Sequence, residues 1–205
     1  MDPRKAELER KSKETEIKAS ITVDGTGRSK IKTYIGLLDH MLELFSFHGY
    51  FDIDLDVRKA DLEIDIHHTN EDIGIVLGKT FKKALEEKTG IKRFGNGFAP
   101  MEATLGYFVV DISGRGYCHI RVEGAVPEKG EDGYTFSSLE HFLESFAQHL
   151  GANFHVRIYN PDNSSADLHT VMETVFKAFG LALDQATQID PRRKGTVPST
   201  KGIID

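Results

Sequence analysis

LLDHMLELFSFHG (residues 37–49) and SLEHFLESFAQHL (residues 138–150) superpose at an offset of 101, Leu38 on Leu139, His40 on His141, Leu42 on Leu143 and His48 on His149. Each has apolar residues at helical spacing, so each reads as a helix carrying a histidine. After one inserted residue the match continues, with His67 on His169, Glu71 on Glu173 and Gly78 on Gly180. A period near 100 residues is too long for a solenoid and points to a duplicated half-domain.

The segments around these helices support that reading. In the first half, EIKASITV (16–23) alternates apolar and polar, DGTG (24–27) supplies a turn, and SKIKTYI (29–35) follows, which predicts a hairpin. The helix over 37–49 is expected to close on Gly49 in a left-handed cap. FDIDLDV (51–57) and LEIDI (62–66) read as two further strands, and a second helix is predicted from about Asn70 to Lys88, closing at Gly90. In the second half, ATLGYFVVDI (103–112), YCHIRV (117–122) and NFHVRIY (153–159) read as strands, and residues 137–151 and 167–186 as helices. The expectation is an α+β fold in which residues 1–90 and 91–205 each form a mostly antiparallel sheet covered by two helices, packed as one compact unit.

Composition bounds the function. The 205 residues include 26 Lys and Arg against 32 Asp and Glu, a formal charge of -6 that offers no field for nucleic acid or an anionic membrane. The one cysteine, Cys118, excludes an intrachain disulfide framework and suits a reducing compartment, with the cytoplasm as the default. The charged N-terminus lacks the apolar core of a secretion signal, and no run reaches the roughly 18 apolar residues of a membrane span.

DIHHTNED (65–72) concentrates metal-capable groups at a helix start. Residues four apart share a helix face, so His67 with Glu71, and His169 with Glu173, can each aim an imidazole and a carboxylate at one point. His68 can join the first pair or reach a different ion. One such motif is common by chance; two at corresponding positions of a repeat, each with a histidine on the preceding helix (His40, His141), point to a duplicated metal site. Imidazoles plus a carboxylate suit a first-row divalent ion such as Mn²⁺, Fe²⁺, Co²⁺ or Zn²⁺. His48 and His149 read as helix-end packing, and His119 and His155 as strand residues.

With these residues in view the chain resembles the imidazoleglycerol-phosphate dehydratase family of histidine biosynthesis. The matching segments are RKSKET (10–15), LDHML (38–42), HG (48–49), DIHHTNEDIGIVLG (65–78), IKRFGNGFAP (91–100), DISGRGY (111–117), EHFLESFA (140–147), ETVFKAFG (173–180) and PSTKG (198–202), in family order along nearly the whole chain. The resemblance implies a carbon–oxygen lyase that converts imidazole glycerol phosphate to imidazole acetol phosphate. It implies two Mn²⁺ per active site, with His40, His67, His68, Glu71, His141, His169 and Glu173 as ligands, and Glu14, Glu71 and Glu173 as catalytic carboxylates. Arg93, Arg115, Lys177, Ser199 and Lys201 match its phosphate-binding positions, and the tail RRKGTVPSTKG (192–202) its substrate loop. The implied fold is similar to the second domain of ribosomal protein S5. The implied assembly is a homo-oligomer, a twenty-four-subunit shell with active sites between subunits.

Four positions depart from the family pattern. Thr170 stands in place of a second histidine, so one metal site is a protein ligand short, with water or Asp167 to fill it. Ile66 and Ala103 replace carboxylates, Glu102 matching an aspartate, and Tyr34 replaces a glycine. These changes motivate one alternative, a catalytically impaired metal-binding paralogue. A metallohydrolase using His, His and Glu to activate water is the other.

Overall fold

The computed structural model describes residues 3–63, 65–130, 133–161 and 166–204. Two four-stranded sheets enclose four helices. The first sheet holds β1 (Lys5–Lys11), β2 (Glu16–Thr22), β3 (Ser29–Lys32) and β4 (Asp52–Lys59), with α1 (Gly36–Gly49) and α2 (His67–Leu85). The second holds β5 (Phe94–Met101), β6 (Thr104–Asp111), β7 (Tyr117–Gly124) and β8 (Asn153–Asn160), with α3 (Phe136–Leu150) and α4 (Leu168–Thr187). The strand order β1-β2-β4-β3 recurs as β5-β6-β8-β7. In each sheet the last pair, β3 with β4 and β7 with β8, is parallel and the others are antiparallel. The duplicated α+β half-domain is therefore present, each copy a mostly antiparallel sheet with two helices.

Alternation drives the sheets inward. Ile17, Ala19 and Ile21 of β2 and Ile53, Leu55 and Val57 of β4 are buried, as are Phe108 and Val110 of β6 and Phe154, Val156 and Ile158 of β8. Between the sheets each helix contributes one phenylalanine to a shared centre. Phe45 of α1 lies 4.5 Å from Phe179 of α4 and 6.1 Å from Phe146 of α3, between ring centroids, and Phe81 of α2 is 5.6 Å from Phe146. Such aromatic pairs add about 0.5–1.5 kcal/mol each beyond the area they bury. Phe45 and Phe146 are equivalents at the 101-residue offset, so the core itself follows the duplication.

Gly78 and Gly180 set how closely the helices cross. A Cβ on Gly180 would lie 2.7 Å from the Phe45 carbonyl oxygen, and one on Gly78 would lie 2.6 Å from that of Phe146. Helix α4 therefore crosses α1, and α2 crosses α3, at backbone contact, which brings together side chains near their N-terminal ends.

Several local expectations are corrected. β2 and β3 form no hairpin: β2 pairs with β1 and β4, and β3 runs parallel to β4 on its far side. The reason is the crossover β3–α1–β4, which returns the chain parallel to β3 and leaves β4 in the middle of the sheet. Asp52 at the start of β4 holds the DGTG loop by accepting from the Thr26 and Arg28 backbone N–H groups at 2.9 and 3.0 Å. In LEIDI, Ile64 lies outside the described residues and the other four are not in a strand. The segment is tied to α2 at its two ends, the Asp61 N–H just before it donating to Thr69 Oγ1 at 2.9 Å and the His67 N–H to Asp65 Oδ1 at 2.8 Å. Helix α2 consequently starts three residues before Asn70 and ends at Leu85, short of Gly90. The left-handed residue after α1 is Tyr50, at φ 56°, while Gly49 is the last helical residue. β1 and β5 were not anticipated. Among the described residues no helix is long and apolar enough to cross a membrane.

Candidate active site

One set of metal-type side chains converges across the two halves, and its counterpart meets only pairwise. His40 on α1 places Nε2 3.3 Å from Oε1 of Glu173 on α4, and His169 Nε2 lies 3.1 Å from the same oxygen. The rings of His40 and His169 are 5.3 Å apart. Across the pseudo-twofold, His141 on α3 places Nδ1 3.1 Å from Nδ1 of His67 on α2, and His67 Nε2 lies 3.7 Å from Glu71 Oε2. The partner histidine thus comes from the other half of the chain rather than from the preceding helix: His40 joins His169 and Glu173, and His141 meets His67.

The α1–α4 set suits a divalent ion: His40, His169 and Glu173 bring one ligand atom each within 4.8 Å of one another, two imidazoles and a carboxylate, the combination that binds metals of intermediate hardness. In its counterpart His67 turns Nδ1 to His141 and Nε2 to Glu71, so those three do not converge on one point. Burial alone would raise the Glu173 carboxyl, but bonds from Lys177, His40 and His169 outweigh it and hold the group below its ordinary value. It is therefore ionised and ready to ligate. Lys177, matched in sequence to a phosphate position, is engaged with Glu173 in this structure.

His68 belongs to a third group. Its Nδ1 lies 2.8 Å from Asp61 Oδ2, and ligand-type atoms of Glu14, Asp61 and His68 all lie within 4.8 Å of one another. The bond to Asp61, reinforced by the Glu14 charge, raises the His68 pKa. Sequence reasoning picked out Glu14 and His68 separately; Asp61, on an irregular segment seven residues before His68, gave no spacing signal.

The phosphate candidates divide. Arg93 and Ser199 line one cleft together with Phe94, Arg193, Val197 and Pro198. The Arg93 guanidinium donates to both Asp111 carboxylate oxygens at 2.6 and 3.1 Å and to the Pro198 carbonyl at 3.0 Å, which ties the tail to β6. Arg193 is the cation that the sequence reading passed over. Arg115, exposed after β6, and Lys201, whose N–H donates to Ser199 Oγ at 3.2 Å, are not among the residues lining this cleft.

The departures also find places. Thr170 sits in the first turn of α4, where its N–H donates to the N-cap Asp167 at 2.8 Å, so one Asp167 oxygen already serves the helix. Ala103 and Glu102 form the β5–β6 turn. A Cβ on Gly97 or Gly106 would press on the backbone of Ala178 or Thr174, so β5 and β6 lie along α4 and this turn faces the helix end bearing His169 and Glu173.

The chain is similar to known proteins along nearly its whole length. The family model for imidazoleglycerol-phosphate dehydratase matches residues 33–183. The chain is 48% identical over 201 residues to the imidazoleglycerol-phosphate dehydratase of Geobacter metallireducens, covering 98% of this chain and 99% of that one. It is 46% identical over 201 residues to that of Thermoanaerobacter sp., covering 98% and 100%. Among solved structures, IGPD from Pyrococcus furiosus superposes with a TM-score of 0.77 at 35% identity over 96% of this chain and 99% of that one. The dehydratase from Staphylococcus aureus gives 0.75 at 28% identity over 91% and 99%.

Proposed function

This chain belongs to the imidazoleglycerol-phosphate dehydratase family, and on that premise we propose how its residues are assigned to the reaction. The protein is a carbon–oxygen lyase of histidine biosynthesis that removes water from imidazole glycerol phosphate to give imidazole acetol phosphate. The carrying observation is the convergence of His40, His169 and Glu173 from the two halves, with His141 meeting His67 at the equivalent place.

In the proposed assignment, His40, His169 and Glu173 would hold one Mn²⁺, and His67, His68, Glu71 and His141 are the ligands assigned to the other. When bound, the ions supply positive charge at the two ring nitrogens, which favours departure of the hydroxyl beside the ring. Glu14, exposed at the β1–β2 turn, exchanges the proton at the neighbouring carbon of the glycerol chain. Arg93 and Ser199 are assigned to the phosphate, guanidinium being well matched to phosphate oxygens, together with Arg115 and Lys201; Lys177, bonded to Glu173, lies on the metal side of the same chain and would reach a phosphate held by another copy.

The reading requires more than one copy of the chain. The Arg93 N–H donates to the Ala186 carbonyl at 2.8 Å, whereas Glu173 lies thirteen residues earlier on α4, about 20 Å away at roughly 1.5 Å per residue. The substrate spans about 10 Å from ring to phosphate at ~1.5 Å per bond. The Glu173 set and the phosphate cleft of one chain therefore serve different substrates, which supports active sites between subunits; the twenty-four-subunit shell is the assembly that the family likeness implies for them. The free Cys118 fits a cytoplasmic location.

Metal-stripped protein assayed for imidazole acetol phosphate with and without Mn²⁺ tests the assignment, and manganese-dependent product is expected. An assembled, metal-loaded protein that forms no product establishes instead the impaired paralogue, for which Thr170 and Ala103 beside one metal set are the structural motive.

A further inference from the structure

The segment that carries Glu14 is a tight turn between β1 and β2, and its position is fixed from outside the hairpin. Within the turn, Ser12 Oγ accepts from the Glu14 and Thr15 N–H groups at 3.1 and 3.0 Å, and the Ser12 N–H donates to the Thr15 carbonyl at 2.9 Å. The pairing of Lys11 with Glu16 closes the hairpin behind it. These local bonds shape the turn but leave open where its tip sits relative to α2.

Asp72 supplies that anchor. It is 7% exposed, one residue beyond Glu71 in the first turns of α2, and its Oδ2 accepts from Thr15 Oγ1 at 2.5 Å and from the Arg10 guanidinium. Arg10 Nη1 also donates to Thr15 Oγ1 at 3.3 Å. One buried carboxylate oxygen thus receives both strands of the hairpin, β1 through Arg10 and the residue after Glu14 through Thr15. Thr15 is fully buried, so a hydroxyl there without an acceptor would carry a desolvation cost, and the bond is maintained. The outcome is the placement already described, with the Glu14 carboxylate within 4.8 Å of ligand-type atoms of His68 and Asp61.

We propose that Asp72 is a positioning residue for the dehydration, holding Glu14 over the metal-binding end of α2 through Thr15 and Arg10. This rests on the assignment of Glu14 as the proton-exchanging group. A charge-assisted bond to a buried acceptor is short and directional, and small misplacements of an acid–base group cost rate rather than substrate affinity. The same helix that presents His67, His68 and Glu71 therefore also sets the distance to the carboxylate that works beside them.

The test is a cycle of variants of the full, Mn²⁺-loaded protein, read as kcat and KM for imidazole glycerol phosphate with bound manganese measured in each. Glu14→Gln is expected to lower kcat by about 10²–10⁴-fold. Asp72→Asn is expected to lower kcat at least ~10-fold with KM and manganese content unchanged, but to change kcat less than ~2-fold when added to Glu14→Gln, since it acts through that residue. Thr15→Val should reproduce the Asp72→Asn loss and Thr15→Ser should recover most of it, which keeps the test decisive if Asp72→Asn folds poorly. Equal losses from Asp72→Asn in the native and Glu14→Gln backgrounds, or an undiminished kcat in Thr15→Val, overturns the proposal. A Glu14→Gln variant with native kcat overturns the assignment of Glu14 itself, visible in that single variant, and the proposal with it.

Discussion

Tyr34 takes a left-handed backbone, φ 67°, just before α1, half exposed with the Lys32 ammonium 4.8 Å over its ring. A side chain in that conformation is strained by about 1 kcal/mol, which is why glycine suits the position. Glu173→Gln should cost the α1–α4 set its charged ligand: one Mn²⁺ per chain is expected to be lost, and kcat to fall by at least ~100-fold, with metal analysis and steady-state rates as the measurement. At Cys118 burial pushes the thiol from its ordinary value near 9 up to about 12. Below pH 9 the thiol is neutral in both folded and unfolded chains; above it the unfolded thiol ionises first, so stability falls as pH rises from about 9 towards 12. The native protein's urea midpoint should therefore drop more between pH 8 and pH 10.5 than that of Cys118→Ser, and labelling of the folded thiol at pH 8 should be slow. Equal drops would remove Cys118 as the cause.

At the scale of elements, the crossings at Gly78 and Gly180 are the most sensitive points. Gly180→Ala drives a methyl into the Phe45 carbonyl, and a cost of about 2–3 kcal/mol is expected. For a chain of this size that is a fall in Tm of roughly 4–12 °C, readable by calorimetry. The same close approach explains what could be read beforehand. The four helices and β2, β4, β6, β7 and β8 stand out because large apolar residues mark their inner faces at the period of the element. β5 was silent because its inward residues are Gly95, Gly97 and Ala99: a Cβ on Gly95 would lie 1.9 Å from the Ala182 carbonyl oxygen, so α4 occupies the space where a side chain would have given the signal. β1 was silent because it is half buried and faces inward with Ala6, Leu8 and Arg10, one of them charged. The histidines and glutamates of the two sets were legible from helical spacing and the repeat. Their pairing across halves was not, because it depends on which helices cross. Nor was the engagement of Lys177 with Glu173, or the place of Asp61, which come from contacts between side chains rather than from spacing.

At the scale of the molecule, about 20 Å of α4 separates Glu173 from the Arg93 cleft of the same chain, and exposed aromatics such as Phe98, stacked on Tyr107 at 4.1 Å, stand on the outer face of the second sheet. Light scattering on the purified protein is expected to give a mass many times the 22.9 kDa of the chain. Conditions that dissociate it should abolish turnover while leaving helical circular dichroism. An active monomer would defeat that expectation. The exchange of histidines between halves carries a consequence for how such a chain came to exist. Neither half alone contains both a helix histidine and the His-x-x-x-Glu that faces it. A half-length ancestor could have gripped metal only as a symmetric pair of chains, each lending a histidine to the other. In the joined chain that loan is intramolecular, and the two equivalent positions differ, Thr170 on one side and His68 on the other.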